Sequence, residues 1–405
     1  MLQDIRVLDL TWVLGGPFCG QLLAGLGAEV IKVEPARGDS SRVVPPRFFQ
    51  GDSGFFLSVN RGKKSVALDL KHPLGRATFH DLVRQSHAVI YGFAPDVPKK
   101  LGIDAPTLAQ VNPRIVVGQM IGVHDQPPYT EYPVFDLIAQ ALGGIMSITG
   151  EERGAPVRIG YQIADLAGGL YLALGTVGAL LSAALKGRGR AVQISLLDCQ
   201  LALLTWQAQN HFISGDVPVA MGSRHAMIAP SEVFFCKDGR PLALSNNGEE
   251  LWRRLCDALG MSELAADPRF ATAADRIENV RALADVLGGV FRTRTRDEWA
   301  AELFEKRLPV APVMNVAEAL SQPLAALRAM VETVAHPRTG DELRFLGNPF
   351  KYEGARPLSY PPALGADTEE VLARVCGYDA GKIAALVSAG AVRTGARARP
   401  GQGDG

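Results

Sequence analysis

The fold is decided by residues 5–34. They open Ile5-Arg6-Val7-Leu8-Asp9-Leu10, turn at Gly15-Gly16-Pro17, run from Phe18 to Leu26, and close Gly27-Ala28-Glu29-Val30-Ile31-Lys32-Val33-Glu34. The short apolar, β-branched runs read as strands. Pro17 suits the first turn of a helix, where its missing N–H leaves no bond unmade, and Gly27 suits a helix end. The unit is β-α-β. A second follows, with a strand over 64–70, a helix over 73–85 and strands over 88–91 and 115–120. Such alternation predicts an α/β fold with a parallel sheet covered on both faces.

Further on the pattern turns helical, over 136–146 and 165–186, then comes a strand over 191–195 and a helix to about 211. Residues 231–244 read as a hairpin turning at Lys237-Asp238-Gly239. Helices follow over 249–259, 276–290 and 295–306, the last opened by Thr295 and Glu298 at capping-box spacing. The expected organisation is a large domain begun by residues 1–215, a smaller α+β domain over 225–325, and a return segment over 330–392. The Gly/Arg/Pro-rich residues 393–405 are expected to form a disordered tail.

Composition narrows the function. The 405 residues carry 42 Lys+Arg against 42 Asp+Glu. Neutrality argues against a broad basic surface for nucleic acid and against a polybasic membrane anchor. Cys19, Cys199, Cys236, Cys256 and Cys376 show no C-x-x-C spacing, and seven histidines are scattered without ligand spacing. Neither a disulfide framework nor a metal site is expected. No charged-then-apolar leader opens the chain, so a cytoplasmic protein is expected. The apolar stretch over 166–184 is rich in Gly and Ala, which fits a buried helix better than a membrane span.

Several local patterns could carry chemistry. Gly15-Gly16-Pro17-Phe18-Cys19-Gly20 follows a strand and opens a helix, and Glu34 closes the next strand. That is the setting of a dinucleotide site. Pro17 stands where G-x-G-x-x-G needs its second glycine, so NAD is disfavoured, but a helix start can still receive a phosphate or carboxylate. Gly51-Asp52-Ser53-Gly54 reads as a loop, and no serine sits in G-x-S-x-G. Arg61, Lys63, Lys64 and Lys71, with Lys99-Lys100, are either solvated surface or a phosphate-binding set. Asp165 opens a helix and precedes Ala167, Gly168 and Gly169. It is either an N-cap or a carboxylate that a ligand can approach over small residues.

Taken together, these blocks resemble the class III CoA-transferases, the family of formyl-CoA transferase and carnitine CoA-transferase that also contains α-methylacyl-CoA racemase. The resemblance rests on Val7-Leu8-Asp9-Leu10-Thr11, Gly16-Pro17, the run from Leu26 to Glu34 with Gly38-Asp39, and Asn60-Arg61-Gly62-Lys63-Lys64-Ser65. It continues in Phe135-Asp136, Ala164-Asp165-Leu166-Ala167-Gly168 and Lys186-Gly187-Arg188-Gly189, and covers about residues 4 to 390. It implies two interlocked chains in a homodimer, each with a Rossmann-like large domain built from both chain ends and a smaller inserted domain. It also implies acyl-CoA and a free carboxylic acid as substrates, with no tightly bound cofactor.

The resemblance makes Asp165 the catalytic nucleophile, passing through a mixed anhydride and an aspartyl-CoA thioester. Val13 and Leu14 match the pantetheine and adenine side of the CoA site. Leu70, Lys71 and Lys100 match its phosphate end. Arg37 lies two residues from a usual arginine position, which is Pro35 here. Gly168-Gly169 and the loop Ser245-Asn246-Asn247-Gly248 are candidates for covering the site. The racemase branch uses a histidine where this chain has Phe135, which cannot move a proton, so transferase chemistry is favoured. A racemase or a non-catalytic CoA-binding relative are the alternatives. Arg47, Arg61, Arg224 and His225 could meet a second carboxylate, which points to succinyl-CoA as donor and a small dicarboxylate as acceptor.

Overall fold

The computed structural model describes residues 1–130 and 132–395. Contacts divide the chain into two units. The first comprises Met1–Ile145, Arg158–Ile213 and the segment from Leu324 onward; the second comprises Met146–Val157 and Ser214–Pro323.

In the first unit β1 (Arg6–Asp9), α1 (Gly15–Gly25) and β2 (Glu29–Glu34) form the opening β-α-β unit. A two-residue hairpin of β3 (Phe48–Phe49) and β4 (Asp52–Ser53) leads into α2 (Gly54–Ser58). Ser53 of the Gly-Asp-Ser-Gly stretch is simply the cap of α2, its Oγ accepting from the Phe55 N–H at 3.1 Å. Then come β5 (Lys63–Leu68), α3 (Pro73–Arg84), β6 (Ala88–Tyr91), α4 (Val97–Leu101), α5 (Ala105–Val111) and β7 (Val116–Ile121). α6 (Asp136–Leu142), α7 (Ile163–Lys186), β8 (Ala191–Ser195) and α8 (Leu196–Leu203) complete the run. The helix expected to reach His211 breaks after α8, where Thr205 takes a positive φ of 43°, and resumes at Trp206.

With β14 (Val392–Arg393) at one edge, seven strands form one sheet in the order β14-β5-β2-β1-β6-β7-β8. All pairs are parallel except β14, which runs antiparallel to β5. Val392 and Arg393 therefore belong to the sheet, and the Gly395 N–H donates to the Gly365 carbonyl. The ordered chain reaches past the boundary at which the sequence suggested a tail; residues 396–405 lie outside the described residues.

Side-chain alternation along the strands sends Leu8, Ile31, Val66 and Val89 to one core, and Val7, Val30, Ala88 and Ile90 to the other. The first core is closed by α3 residues such as Phe79 and Leu82, and by Val371, Leu372 and Ile383 of the C-terminal helix pair. The second is closed by α1 and α7 through Leu22, Leu23, Leu172 and Ala179. α7 is long and apolar enough to cross a membrane by length and composition, and half of its most apolar window is buried inside the protein.

The second unit is built on an antiparallel sheet of β9 (Ser231–Phe235), β10 (Pro241–Ser245) and β11 (Val310–Pro312). Trp252, Phe270, Leu287, Phe291 and Trp299 fill its core. The capping box at Thr295 forms as read, with Thr295 and Glu298 bonded reciprocally. Residues 146–157 were assigned above to the large domain, yet they pack with this unit. The Gly222 N–H donates to the Gly150 carbonyl, and Glu152 pairs with Arg224 and Arg281, each at 2.6 Å. In the first unit the chain also forms a hairpin of β12 (Val331–Ala335) and β13 (Glu342–Leu346).

Candidate active site

The strand order reverses direction at β1, whose neighbours are β2 and β6. The chains leaving the C-terminal ends of β1 and β6 must diverge there, which opens a crevice. A cleft of about 470 Å³ occupies that place. Its walls are the turn Thr11–Gly16 after β1, Gly92–Pro95 after β6, residues 120–124 at the end of β7, and Tyr129, Phe135 and Asp165.

Asp165 is the third residue of α7, within its first turn, and is not its N-cap. That position belongs to Gln162, which makes no side-chain cap bond. The capping work is done by Asp136: its Oδ1 accepts from the Ala164 N–H at 2.9 Å, and its Oδ2 accepts from Gln140 Nε2 at 2.7 Å. The Asp165 side chain is thereby free to face the cleft. Its carboxyl is pushed up to about 6, first by burial and then by the Asp136 carboxylate.

Small residues bring α1 against this turn. A Cβ on Gly15 would stand 2.6 Å from the Asp165 carbonyl oxygen, and one on Gly169 would stand 2.5 Å from the Gly15 carbonyl oxygen. A Cβ on Gly168 would meet Leu196 at 2.8 Å. Gly168 and Gly169 are therefore contact glycines inside the packing of α7, and the expectation that they cover the site is not met. The N-cap of α1, Leu14, makes no side-chain cap bond, so the first N–H groups of α1, on Gly15 and Gly16, stand at the cleft wall without a side-chain acceptor.

Val13 and Leu14 line the same cleft as Asp165. Val13 is 41% exposed and has φ 69°, a left-handed conformation that a β-branched residue rarely takes. Arg37, in the loop after β2, lays its guanidinium 5.4 Å from the ring centre of Trp12, a cleft residue. Leu70 and Lys71 follow β5, and Lys100 lies on α4 after β6, ion-paired with Asp96. Parallel topology sets all of these loops on one edge of the sheet, but Arg37, Leu70, Lys71 and Lys100 are not among the cleft-lining residues.

Arg61, Lys63 and Lys64, also singled out by the sequence, are engaged within the fold. Arg61 donates to the Leu346 and Leu358 carbonyls and pairs with Glu332 at 2.7 Å. Lys63 is fully buried between Asp9, Asn60 and the Pro17 carbonyl. Lys64 pairs with Glu370 at 2.8 Å. Glu34 is held by Arg42 and Ser65 and is not offered to a ribose. Arg47 borders a separate groove beside Phe48, Phe49 and Phe345. Arg224 is engaged by Glu152 within the second unit, which also contains His225 and residues 245–248.

Sequence reasoning gave no role to Trp12, Phe93 or Asp136. Trp12 and Phe93 meet edge to face, with ring centres 6.4 Å apart, on the cleft wall. The signal for Asp136 was its position beside Phe135 at a helix start. Only the fold shows that it ties down a helix beginning 27 residues later.

The family model for CoA-transferase family III matches residues 2–368. The chain is 36% identical to the acetyl-CoA:oxalate CoA-transferase of Acetobacter aceti, over 87% of this chain and 89% of that one. It is 34% identical to the succinate–glutarate CoA-transferase of Agrobacterium fabrum, over 92% and 95%. A crystal structure of a CAIB/BAIF family protein from Brucella suis superimposes with a TM-score of 0.80 at 32% identity, covering 92% of this chain and 98% of that one.

Proposed function

The chain belongs to CoA-transferase family III and is a CoA-transferase; from that premise we propose that it moves CoA from an acyl-CoA to a free carboxylic acid through covalent intermediates on Asp165. The observation that carries this reading is the make-up of the cleft wall around Asp165. Among the described cleft-lining residues it is the one carboxylate, and none of them is a lysine or an arginine.

The steps follow from that carboxylate. Ionised Asp165 attacks the thioester carbonyl, and collapse of the tetrahedral adduct expels CoA thiolate and leaves a mixed anhydride. The thiolate attacks the aspartyl carbonyl and releases the donor acid, leaving an aspartyl-CoA thioester. The acceptor carboxylate attacks that thioester, giving a second anhydride and thiolate. The thiolate then takes the acceptor acyl group and frees Asp165. Each step forms one acyl bond as it breaks another, so no outside energy source is needed. The Gly15 and Gly16 N–H groups are the donors for the developing oxyanions.

The relatives' names, acetyl-CoA:oxalate and succinate–glutarate, support small acids as substrates and a dicarboxylate as acceptor; succinyl-CoA is the proposed donor. Val13 and Leu14 contact the CoA arm, while Arg37, Lys71 and Lys100, with Leu70, meet its phosphate end. Exposed Leu174, Leu181 and Leu185 of α7, and an apolar groove lined by Leu22, Leu26 and Phe350, support a homodimer. Cytoplasmic location remains part of the proposal.

The racemase alternative needs an acid–base pair on the α-carbon. Phe135 holds the cleft position where that branch has histidine, and His124 is the imidazole lining the cleft. The test incubates the protein with succinyl-CoA and a panel of carboxylates, including glutarate and oxalate, in deuterated buffer, and reads products by mass spectrometry. A new acyl-CoA supports transfer; deuterium at the α-carbon without a new acyl-CoA supports the alternative.

A further inference from the structure

Beneath the cleft, four charged side chains are buried together. Asp9 pairs with Lys63 at 2.8 Å and Lys32 pairs with Asp39 at 2.9 Å, every one of these side chains being fully buried. Isolated charges so placed would be costly. Their positive and negative charges balance, and each is hydrogen-bonded. Three of them, Asp9, Lys32 and Asp39, bond to the cleft turn. Asp9 Oδ1 accepts from the Thr11 N–H at 2.9 Å and from the Thr11 hydroxyl. Lys32 Nζ donates to the Thr11 carbonyl at 2.8 Å. Asp39 Oδ1 accepts from the Val13 N–H at 3.3 Å.

The turn so gripped is the one whose Val13 carries a positive φ of 69°. A β-branched residue holds that conformation only when its surroundings over-determine it. The turn also delivers the chain into Gly15 and Gly16 beside Asp165. We propose that Asp39, with Lys32, is a positioning residue for CoA transfer, holding the left-handed turn at Val13 so that the start of α1 meets the reacting carbonyl in the right place. The inference rests on the reading of Asp165 as nucleophile. Asp39 touches no reacting atom and acts through the Val13 N–H and, through Lys32, the Thr11 carbonyl.

The test compares Asp39→Asn and Val13→Pro with the wild-type enzyme, using whichever donor–acceptor pair of the panel above is turned over, well below each variant's melting temperature. Asparagine keeps an acceptor for Val13 but loses the ion pair to Lys32. Proline cannot adopt a positive φ and removes the N–H that Asp39 holds. In Asp39→Asn kcat is expected to fall roughly tenfold to a hundredfold, with KM for the acyl-CoA changed by less than about threefold. Val13→Pro is expected to lower kcat to a similar extent. Because Val13 is exposed but also faces the proposed CoA arm, this variant is read as kcat at saturating acyl-CoA, where a lost CoA contact shows in KM and a lost turn in kcat, and it tests the turn even if Asp39→Asn does not fold. A kcat within about twofold of wild type in a folded variant, or an Asp39→Asn defect confined to KM, overturns the proposal. Asp165→Ala is run in parallel: if it keeps turnover, the nucleophile reading fails, whereas an inactive Asp165→Ala beside a fully active Asp39→Asn removes only the positioning role.

Discussion

A side chain on Gly15 would collide with the carbonyl oxygen of Asp165, since its Cβ would stand only 2.6 Å away. The start of α1 and the first turn of α7 touch backbone to backbone, and the cleft depends on that contact. Gly15→Ala must push the two helices apart. It is expected to cost about 1–3 kcal/mol in unfolding free energy and to lower kcat by about tenfold or more. Chemical denaturation and steady-state kinetics check the two effects separately; wild-type values for both would contradict the close approach.

Asp165→Ala is expected to reduce transfer by about a thousandfold or more, because the described cleft-lining residues include no second carboxylate to replace it. CoA binding, measured by calorimetry, is expected to remain within about threefold of wild type, since alanine deletes the nucleophile and leaves the cleft walls intact. Intact-protein mass spectrometry during turnover should show a CoA-sized adduct on the wild type only.

The raised Asp165 carboxyl predicts a pH profile. The nucleophile is the ionised form, so turnover should fall as pH drops through about 6. Burial is the larger cause and the Asp136 charge the second. Asp136→Asn removes only the second, so the acidic limb should move to lower pH. A limb that stays in place or moves upward would contradict this electrostatic account.

The same shift has a consequence for stability. In the unfolded chain Asp165 ionises near 3.8, whereas in the fold it holds its proton up to about 6. Below both values the two states are equally protonated and nothing is lost. Between them stability falls as pH rises, and the full penalty persists above about 6. Asp165→Asn should therefore raise the melting temperature at pH 8, by an amount equivalent to about 1–3 kcal/mol, and leave it nearly unchanged at pH 3.5. Equal shifts at both pH values would point to packing instead.

Arg37 and Lys71 stand on loops, and Lys100 on α4, at one edge of the sheet, outside the cleft itself. If they meet phosphates, alanine at each should raise KM for acyl-CoA by about threefold to tenfold. The effect should vanish with an acyl-pantetheine, which has no nucleotide phosphates. An equal loss with both substrates would remove these residues from the CoA site.

Much of the fold was readable because it is written locally. The runs at 5–10 and 29–34 carry their strand character in adjacent β-branched and apolar residues, and Thr295 with Glu298 announced a capping box that forms. Asp165 could be singled out by its neighbours, and its place in the cleft follows from parallel strands that put their exits on one edge. The roles of the cations could not be read this way. Lys63 and Arg61 look like phosphate ligands in the sequence, but their partners are Asp9, 54 residues away, and Glu332, 271 residues away. Gly169 looked like open space above a carboxylate until α1 was laid against it. Strand, turn and cap preferences act between residues a few positions apart, so sequence alone determined them. Which charge is buried, which glycine is a contact and which aspartate is free to react depend on groups brought together only by the tertiary fold, where burial, through the loss of water, sets their energies.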